Sequence, residues 1–269
     1  MIEEPTAVHA PDGAVLAVVA GGEGPPLLLI PGLGASRHVF DPFAPALRRQ
    51  HHVITFDPRG IGDSERGSLP VAMATLAADA AAVIAGTAGG AVDVLGASMG
   101  GVVAQQLAVD HPEVVRHLIL AATQPPGTHA IPADPAARDA LLGRGARTPE
   151  DAYRIACTVL YSPHFQRAHP EFIEEQVRVR AQHPVLGRLF RDQLSAMRES
   201  SALWGRLPGI SAPTLVMHGT ADAVSPYENA ELLTRRIPGA RLRPFDGSGH
   251  LFFHERPAES ARVVDEFLT

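Results

Sequence analysis

Three residues that together can transfer an acyl group follow one another along this chain: Ser98, Asp222 and His250. A serine hydroxyl is a weak nucleophile at neutral pH, so a histidine must take its proton during attack and later return it to the leaving group. A carboxylate behind the histidine would fix the imidazole tautomer and stabilise the imidazolium that forms. Ser98 stands in Gly96-Ala-Ser-Met-Gly100, with small residues two before and two after it. Such a stretch lets the backbone turn sharply without a Cβ clash and leaves the serine exposed at a helix start. Two glycines around a serine also arise by chance in a chain with 25 glycines, so the weight of the pattern rests on its partners.

The partners need elements to position them. Val92 onward is a short apolar run before the serine, and Val102 to Ala108 is helix-like after it, which predicts strand, turn and helix. Pro213 to Met217 reads as a buried strand that runs into a loop carrying Asp222. Arg241 to Phe245 reads as the next strand, and His250 follows in Asp246-Gly-Ser-Gly-His. In open α/β sheets ligands bind outside the carboxyl ends of the strands, so the three residues are expected on one edge. Asp246 competes with Asp222 for the acid role but follows its strand too closely, and His254 competes weakly with His250. His218 reads as a buried, hydrogen-bonded residue.

An acyl-transfer site also needs donors for the developing oxyanion. Pro26 to Ile30 reads as a strand buried on both faces, and Pro31-Gly-Leu-Gly-Ala35 follows it. The backbone N–H of Leu33 can then point at the site, with Gly32 permitting close approach. The second donor is the N–H of Met99, at a helix start where amides lack intrahelical partners.

The remaining pattern alternates strands and helices. Ala7 to Val19 reads as a hairpin turning at Asp12-Gly13, Ser36 to Arg49 as a helix, His52 to Phe56 as a strand, Val71 to Ile84 as a helix and Val115 to Ala121 as a strand. Helices are also expected at Tyr227 to Arg236 and Ala258 to Leu268. This order implies parallel strands joined by right-handed crossovers, an α/β architecture. Between about Pro125 and Ser211 no clear strand appears, and helical periodicity is expected at 149–160, 170–180 and 185–203.

With these features in order, the chain resembles the α/β-hydrolase family, from the hairpin near Ala7 to Leu268. Within it the chain looks most like the small bacterial carboxylesterase and lactonase branch. Many relatives carry His-Gly at the oxyanion turn where this chain has Pro31-Gly32, a change that leaves a backbone donor in place. The resemblance implies a mostly parallel central sheet with helices on both faces, residues 1–124 and 212–269 forming the core domain and 125–211 a helical cap. It implies a serine hydrolase acting on a carboxylic ester or lactone of a small, largely apolar substrate, with no cofactor. Cofactor-free perhydrolases, carbon–carbon bond hydrolases and non-enzymatic receptors on the same scaffold are the alternatives. Relatives that form an alkyl-enzyme ester place an aspartate where this chain has Ser98. Tyr161, Phe165, Phe172, Phe190, Met197 and Trp204 either line an apolar pocket over Ser98 or hold the helices of the block together, and Gly32, Tyr161, Trp204 and Leu251 are candidates for contact with the substrate. Asp57, Arg59, Gly60, Gly62 and Ser64 match a loop of the family that is read as structural.

Composition narrows the classes further. At 269 residues, 45% hydrophobic and 19% charged, the chain can bury a core as one large domain or a main domain with an insertion. A net charge of -6 argues against non-specific nucleic-acid binding. All 23 basic side chains counted as Lys or Arg are arginine, which excludes Schiff-base chemistry and a phosphate-loop lysine. His51 and His52 face opposite ways on a strand, and no metal site is expected. Cys157, the single cysteine, cannot form an internal disulfide and reads as a small buried hydrophobe. No apolar stretch approaches the roughly 20 residues of a membrane span, and Met1 to Pro5 is acidic, so a cytoplasmic protein is expected. Monomer and dimer both remain open.

Overall fold

Apolar runs with no polar face must be covered on both sides, and the computed structural model shows how this is met. It describes residues 5–183 and 185–269; the expectation drawn from the first four residues lies outside them. The hairpin is β1 (Thr6–His9) and β2 (Val15–Gly21), with Gly13 at φ 82 in its turn. It is followed by β3 (Pro26–Ile30) and, after a 3-10 turn at Arg37–Phe40, by the short α1 (Ala44–Leu47). The continuous helix expected from Ser36 to Arg49 is therefore broken. Pro42 has no N–H to extend the first turn and its ring opposes a helical carbonyl four residues back, while Pro45 suits the opening turn of α1.

Next come β4 (His52–Phe56), α2 (Met73–Thr87), β5 (Val92–Ala97), α3 (Met99–Asp110) and β6 (Val115–Ala121). Five helices follow without an intervening strand: α4 (Pro135–Leu141), α5 (Pro149–Leu160), α6 (Pro163–Ala168), α7 (Pro170–Gln182) and α8 (Gly187–Glu199). Thr148 and Ser162 cap α5 and α6, each side chain accepting a backbone N–H. The chain ends with β7 (Thr214–Gly219), α9 (Glu228–Arg236), β8 (Arg241–Phe245), α10 (Phe252–Glu255) and α11 (Pro257–Leu268). No described helix is long and apolar enough to cross a membrane.

The strands form one eight-stranded sheet in the order β1-β2-β4-β3-β5-β6-β7-β8. β1, β2 and β4 pair antiparallel, and every pairing from β4 through β3, β5, β6, β7 to β8 is parallel. Alternation along each strand sorts the core into two layers. Leu28, Ile30, Val94, Leu118, Leu120 and Val216 pack on one face with α2, α3 and α9. Leu27, Leu29, Leu95, Ile119, Leu215 and Met217 pack on the other with α1, α5, α7 and α11. β6 pairs with β7 through Leu118 and Thr214, so the whole helical block between them is closed off by one ladder.

The loop after β4 is held by charge. Arg59 is fully buried, forks onto both oxygens of Asp79 at 2.6 Å and reaches Asp12. Asp57 accepts the backbone N–H and side chain of Arg37 as well as the N–H of Asp63. These contacts fasten the loop to α2 and to the turn after β3.

Candidate active site

Ser98 sits between the last residue of β5 and the first of α3, at φ 55 and ψ -122. This conformation is costly for any residue with a Cβ and persists only where neighbours impose it. Here the Ser98 N–H donates to the Ala121 carbonyl at 2.9 Å, and its own carbonyl accepts Thr123 Oγ1 at 2.6 Å and Gly101 N–H at 2.9 Å. The flanking glycines are steric necessities, since a Cβ on Gly100 would collide with the carbonyls of Ile30 and Pro31 and one on Gly96 with the backbone of Gly100. The half-buried Ser98 hydroxyl makes no hydrogen bond to a described residue.

Asp222 and His250 meet. The Asp222 carboxylate lies 2.7 Å from His250 Nδ1, and both residues are buried. The same carboxylate is held by the N–H groups of Val224 and Ser225, each at 2.8 Å. Their two loops are stitched by Ala221 N–H to the Ser248 carbonyl and by Gly247 N–H to Thr220 Oγ1. Gly219 is what allows this approach, because a Cβ there would collide with the carbonyls of Ser248 and Gly249. Burial by itself would raise the Asp222 carboxyl, but the adjacent His250 and hydrogen bonds from His218 and His250 outweigh it and hold the group well below the usual carboxylate range.

His218 is fully buried, its Nε2 at 2.8 Å from the Ser225 carbonyl and 3.1 Å from Asp222. It stands behind the acid, in keeping with a hydrogen-bonded interior residue. His254 is bonded through Nε2 to the Val39 carbonyl and through Nδ1 to the Tyr161 hydroxyl, and burial pushes it down to about 4. A neutral, doubly bonded imidazole has no nitrogen left for Ser98. Asp246 is exposed. Burial pushes the Cys157 thiol up to about 12, which leaves no thiolate to compete as nucleophile.

The turn after β3 abuts the serine: a Cβ on Gly32 would stand 3.1 Å from Ser98 Cβ. Among the described residues neither the N–H of Leu33 nor that of Met99 donates a hydrogen bond, although the neighbouring Gly34 N–H donates to Gln193 Oε1 at 2.8 Å and Ala35 N–H to the Gly32 carbonyl. Two free amides thus flank Ser98, one from the turn and one from the start of α3.

The helical block is tied to the His250 loop. Glu255 accepts the N–H of Ser162 at 2.6 Å, the Ser162 hydroxyl at 3.0 Å and the Gly249 N–H at 3.1 Å, while Leu251 N–H donates to the Leu160 carbonyl. Tyr161 lies at the joint between the helical block and α10. It is 2% exposed, gives its hydroxyl to His254 and packs against Phe165 and Phe172, so it secures the block. Trp204 likewise stacks on His129 at 5.2 Å and under the guanidinium of Arg236, fastening the chain after α8 to α9. Leu251, next to His250, is buried in the apolar layer beneath the loop. Among the described residues no group of three or more His, Cys, Asp or Glu side chains could hold a metal ion.

Glu255, Gln193 and Arg180 escaped the reading of the sequence. Gln193 is the polar member of a buried stripe, Leu189, Gln193 and Ala196, on α8, and Arg180 continues the stripe Ile173 and Val177 on α7. Spacing of this kind is the signal that marks Gln193 and Arg180 in the sequence, and it does not extend to Glu255 at the end of the four-residue α10.

Residues 25–257 match the model of the alpha/beta hydrolase fold family. The chain belongs to that family. This α/β-hydrolase is 34% identical over 246 residues to a poly(3-hydroxyalkanoate) depolymerase of Ectopseudomonas oleovorans, covering 90% of this chain and 84% of that one. It is 29% identical over 252 residues to a pimeloyl-[acyl-carrier protein] methyl ester esterase of Neisseria meningitidis, covering 89% and 75%. An esterase from Exiguobacterium antarcticum superposes on the α/β-hydrolase with a TM-score of 0.84 at 25% identity, covering 98% of each chain.

Proposed function

We propose that this α/β-hydrolase cleaves a carboxylic ester or lactone through an acyl-enzyme on Ser98. The observation that carries the reading is the buried Asp222–His250 hydrogen bond, on the same sheet edge as a serine held at positive φ. In this reading His250 takes the Ser98 proton as the hydroxyl adds to the ester carbonyl, and returns it to the departing alcohol. A water deprotonated by the same imidazole then adds to the acyl-enzyme, and Ser98 leaves with its proton restored. Asp222 stays ionised throughout and offsets the charge of the imidazolium. The free N–H groups of Leu33 and Met99 are suited to receive the oxyanion, a contribution on the order of 3 kcal/mol for each such donor in other enzymes. The block 125–211 would act as a cap that shapes the pocket, with the acyl or alcohol part of the substrate lying beneath it. Esterases among the relatives and structural neighbours support a carboxylic ester as substrate.

The test is covalent. A fluorophosphonate should add its mass to the peptide containing Ser98, and Ser98→Ala should abolish turnover of a short p-nitrophenyl ester. Labelling at another residue, or turnover that survives in Ser98→Ala, would overturn the reading.

A further inference from the structure

Two polar side chains of the helical block converge on the turn that carries Leu33, and neither has all the partners its chemistry calls for. Gln193 is fully buried; its Oε1 accepts the Gly34 N–H, which fixes the orientation of the amide, and its Nε2 is buried with no hydrogen-bond partner. Arg180 forms no ion pair among the described residues. Its Nη1 donates to the His183 carbonyl at 2.7 Å and its guanidinium lies 5.9 Å from the centre of the Tyr153 ring, while Nη2 stands 3.4 Å from where a Cβ of Gly34 would be. The Phe190 ring lies against the same glycine. One helix thus brings a cation, the other an amide donor and an apolar wall, to Gly34, two residues from Gly32, where a Cβ would stand 3.1 Å from that of Ser98.

Both side chains occupy stripe positions where an apolar residue would pack at no electrostatic cost. Arg180 is a half-buried cation with no carboxylate beside it, and the Gln193 Nε2–H is buried without an acceptor, so both are left with donors that a ligand oxygen would satisfy. Burial lowers the Arg180 guanidinium from its ordinary value, as it does when desolvation is not repaid by a nearby acid. An oxygen ligand that satisfies both is an anion with more than one acceptor.

We propose that Arg180 and Gln193 form a subsite for a carboxylate carried by the substrate, held beside the oxyanion turn by a charge-assisted hydrogen bond from Arg180 and a second bond from Gln193 Nε2. The inference rests on the reading of Ser98 as nucleophile and names the substrate class that reading leaves open: an ester or lactone that also bears a free acid. The acid can sit on the acyl side, as in a dicarboxylic acid monoester, or on the alcohol side, as in the ester of a hydroxy acid.

The experiment compares kcat/KM for monomethyl succinate, glutarate and adipate, and for acetyl esters of hydroxy acids, with neutral methyl and acetyl esters of matched length. The wild-type enzyme should prefer at least one acid-bearing series by about tenfold or more, and that series assigns the acid to the acyl or the alcohol side. Arg180→Gln should cut the ratio of acid-bearing to neutral substrate by about tenfold or more, with Arg180→Lys restoring part of it. A ratio is read within one variant, so a general loss of folded enzyme does not imitate the effect. Equal rates on acidic and neutral esters in the wild type, or a ratio unmoved by Arg180→Gln, would overturn the subsite while leaving Ser98 in place. Neutral-ester turnover that survives Ser98→Ala would instead remove the reading on which it stands.

Discussion

A methyl group on Gly32 would stand 3.1 Å from the Cβ of Ser98 and 3.3 Å from the carbonyl of Ala97. Both distances are tighter than ordinary contact, and Ser98 cannot move freely because its backbone is bonded on both sides. Gly32→Ala should therefore shift the serine and the Leu33 amide by a few tenths of an ångström. We expect kcat on a p-nitrophenyl ester to fall on the order of tenfold, with little change in melting temperature. Wild-type kcat in a folded Gly32→Ala protein would show that the turn is not part of the reacting geometry.

The positive φ of Ser98 has a thermodynamic signature. Glycine relieves the cost of a Cβ at φ 55, whereas alanine retains it. Ser98→Gly should be more stable than Ser98→Ala by about 1 kcal/mol, and both should be inactive. Paired denaturant curves measure the difference, and equal midpoints would mean that the elbow stores no strain.

His254 links stability to acidity. Its folded value near 4 lies below the 6.5 of an ordinary imidazole, so between these limits the unfolded chain binds the extra proton. Stability is therefore complete above about 6.5 and declines as the pH falls toward 4, by about 3 kcal/mol in total from this one group. Denaturation midpoints followed across that window should show the decline, and His254→Gln should flatten it. A slope unchanged in His254→Gln would assign the acid sensitivity to other groups.

Glu255 joins the helical block to the loop of His250 through Ser162 and Gly249. Glu255→Ala removes the acceptor for three donors and should destabilise the protein by about 2 kcal/mol. Because Gly249 precedes His250, kcat should also fall, on the order of tenfold, even under conditions where the variant is folded. Loss of stability with unchanged kcat would confine Glu255 to a structural clamp.

The strands were readable because their apolar runs leave no face for water, and Leu27 to Ile30 or Val216 with its neighbours could be nothing but central strands. Ser98 and Asp222 stand out because each lies just past such a run, whereas His250 follows the short and largely exposed Arg241–Phe245 and is marked by its place in Asp246-Gly-Ser-Gly-His. The helix at Ser36 to Arg49 failed where Pro42 and Pro45 override its periodicity. For Tyr161 and Trp204 side-chain type leaves both a pocket lining and a joint open, because the contacts that hold the two rings come from His254 and Arg236, distant in sequence. Arg180 and Gln193 carry a different signal, a polar residue in line with the buried apolar positions of a helix.

The pairing of β6 with β7 across the whole helical block has a consequence for assembly. Asp222 and His250 belong to neighbouring loops at the end of the chain, and Ser98 to an elbow formed much earlier. Ser98 and His250 share one edge only once Leu118 is paired with Thr214, a closure whose entropic cost grows with the intervening length. The elbow is built from local chain, whereas Asp222 and His250 reach its edge of the sheet only through the β6–β7 ladder, so the arrangement of the three side chains depends on contacts between residues far apart in the sequence.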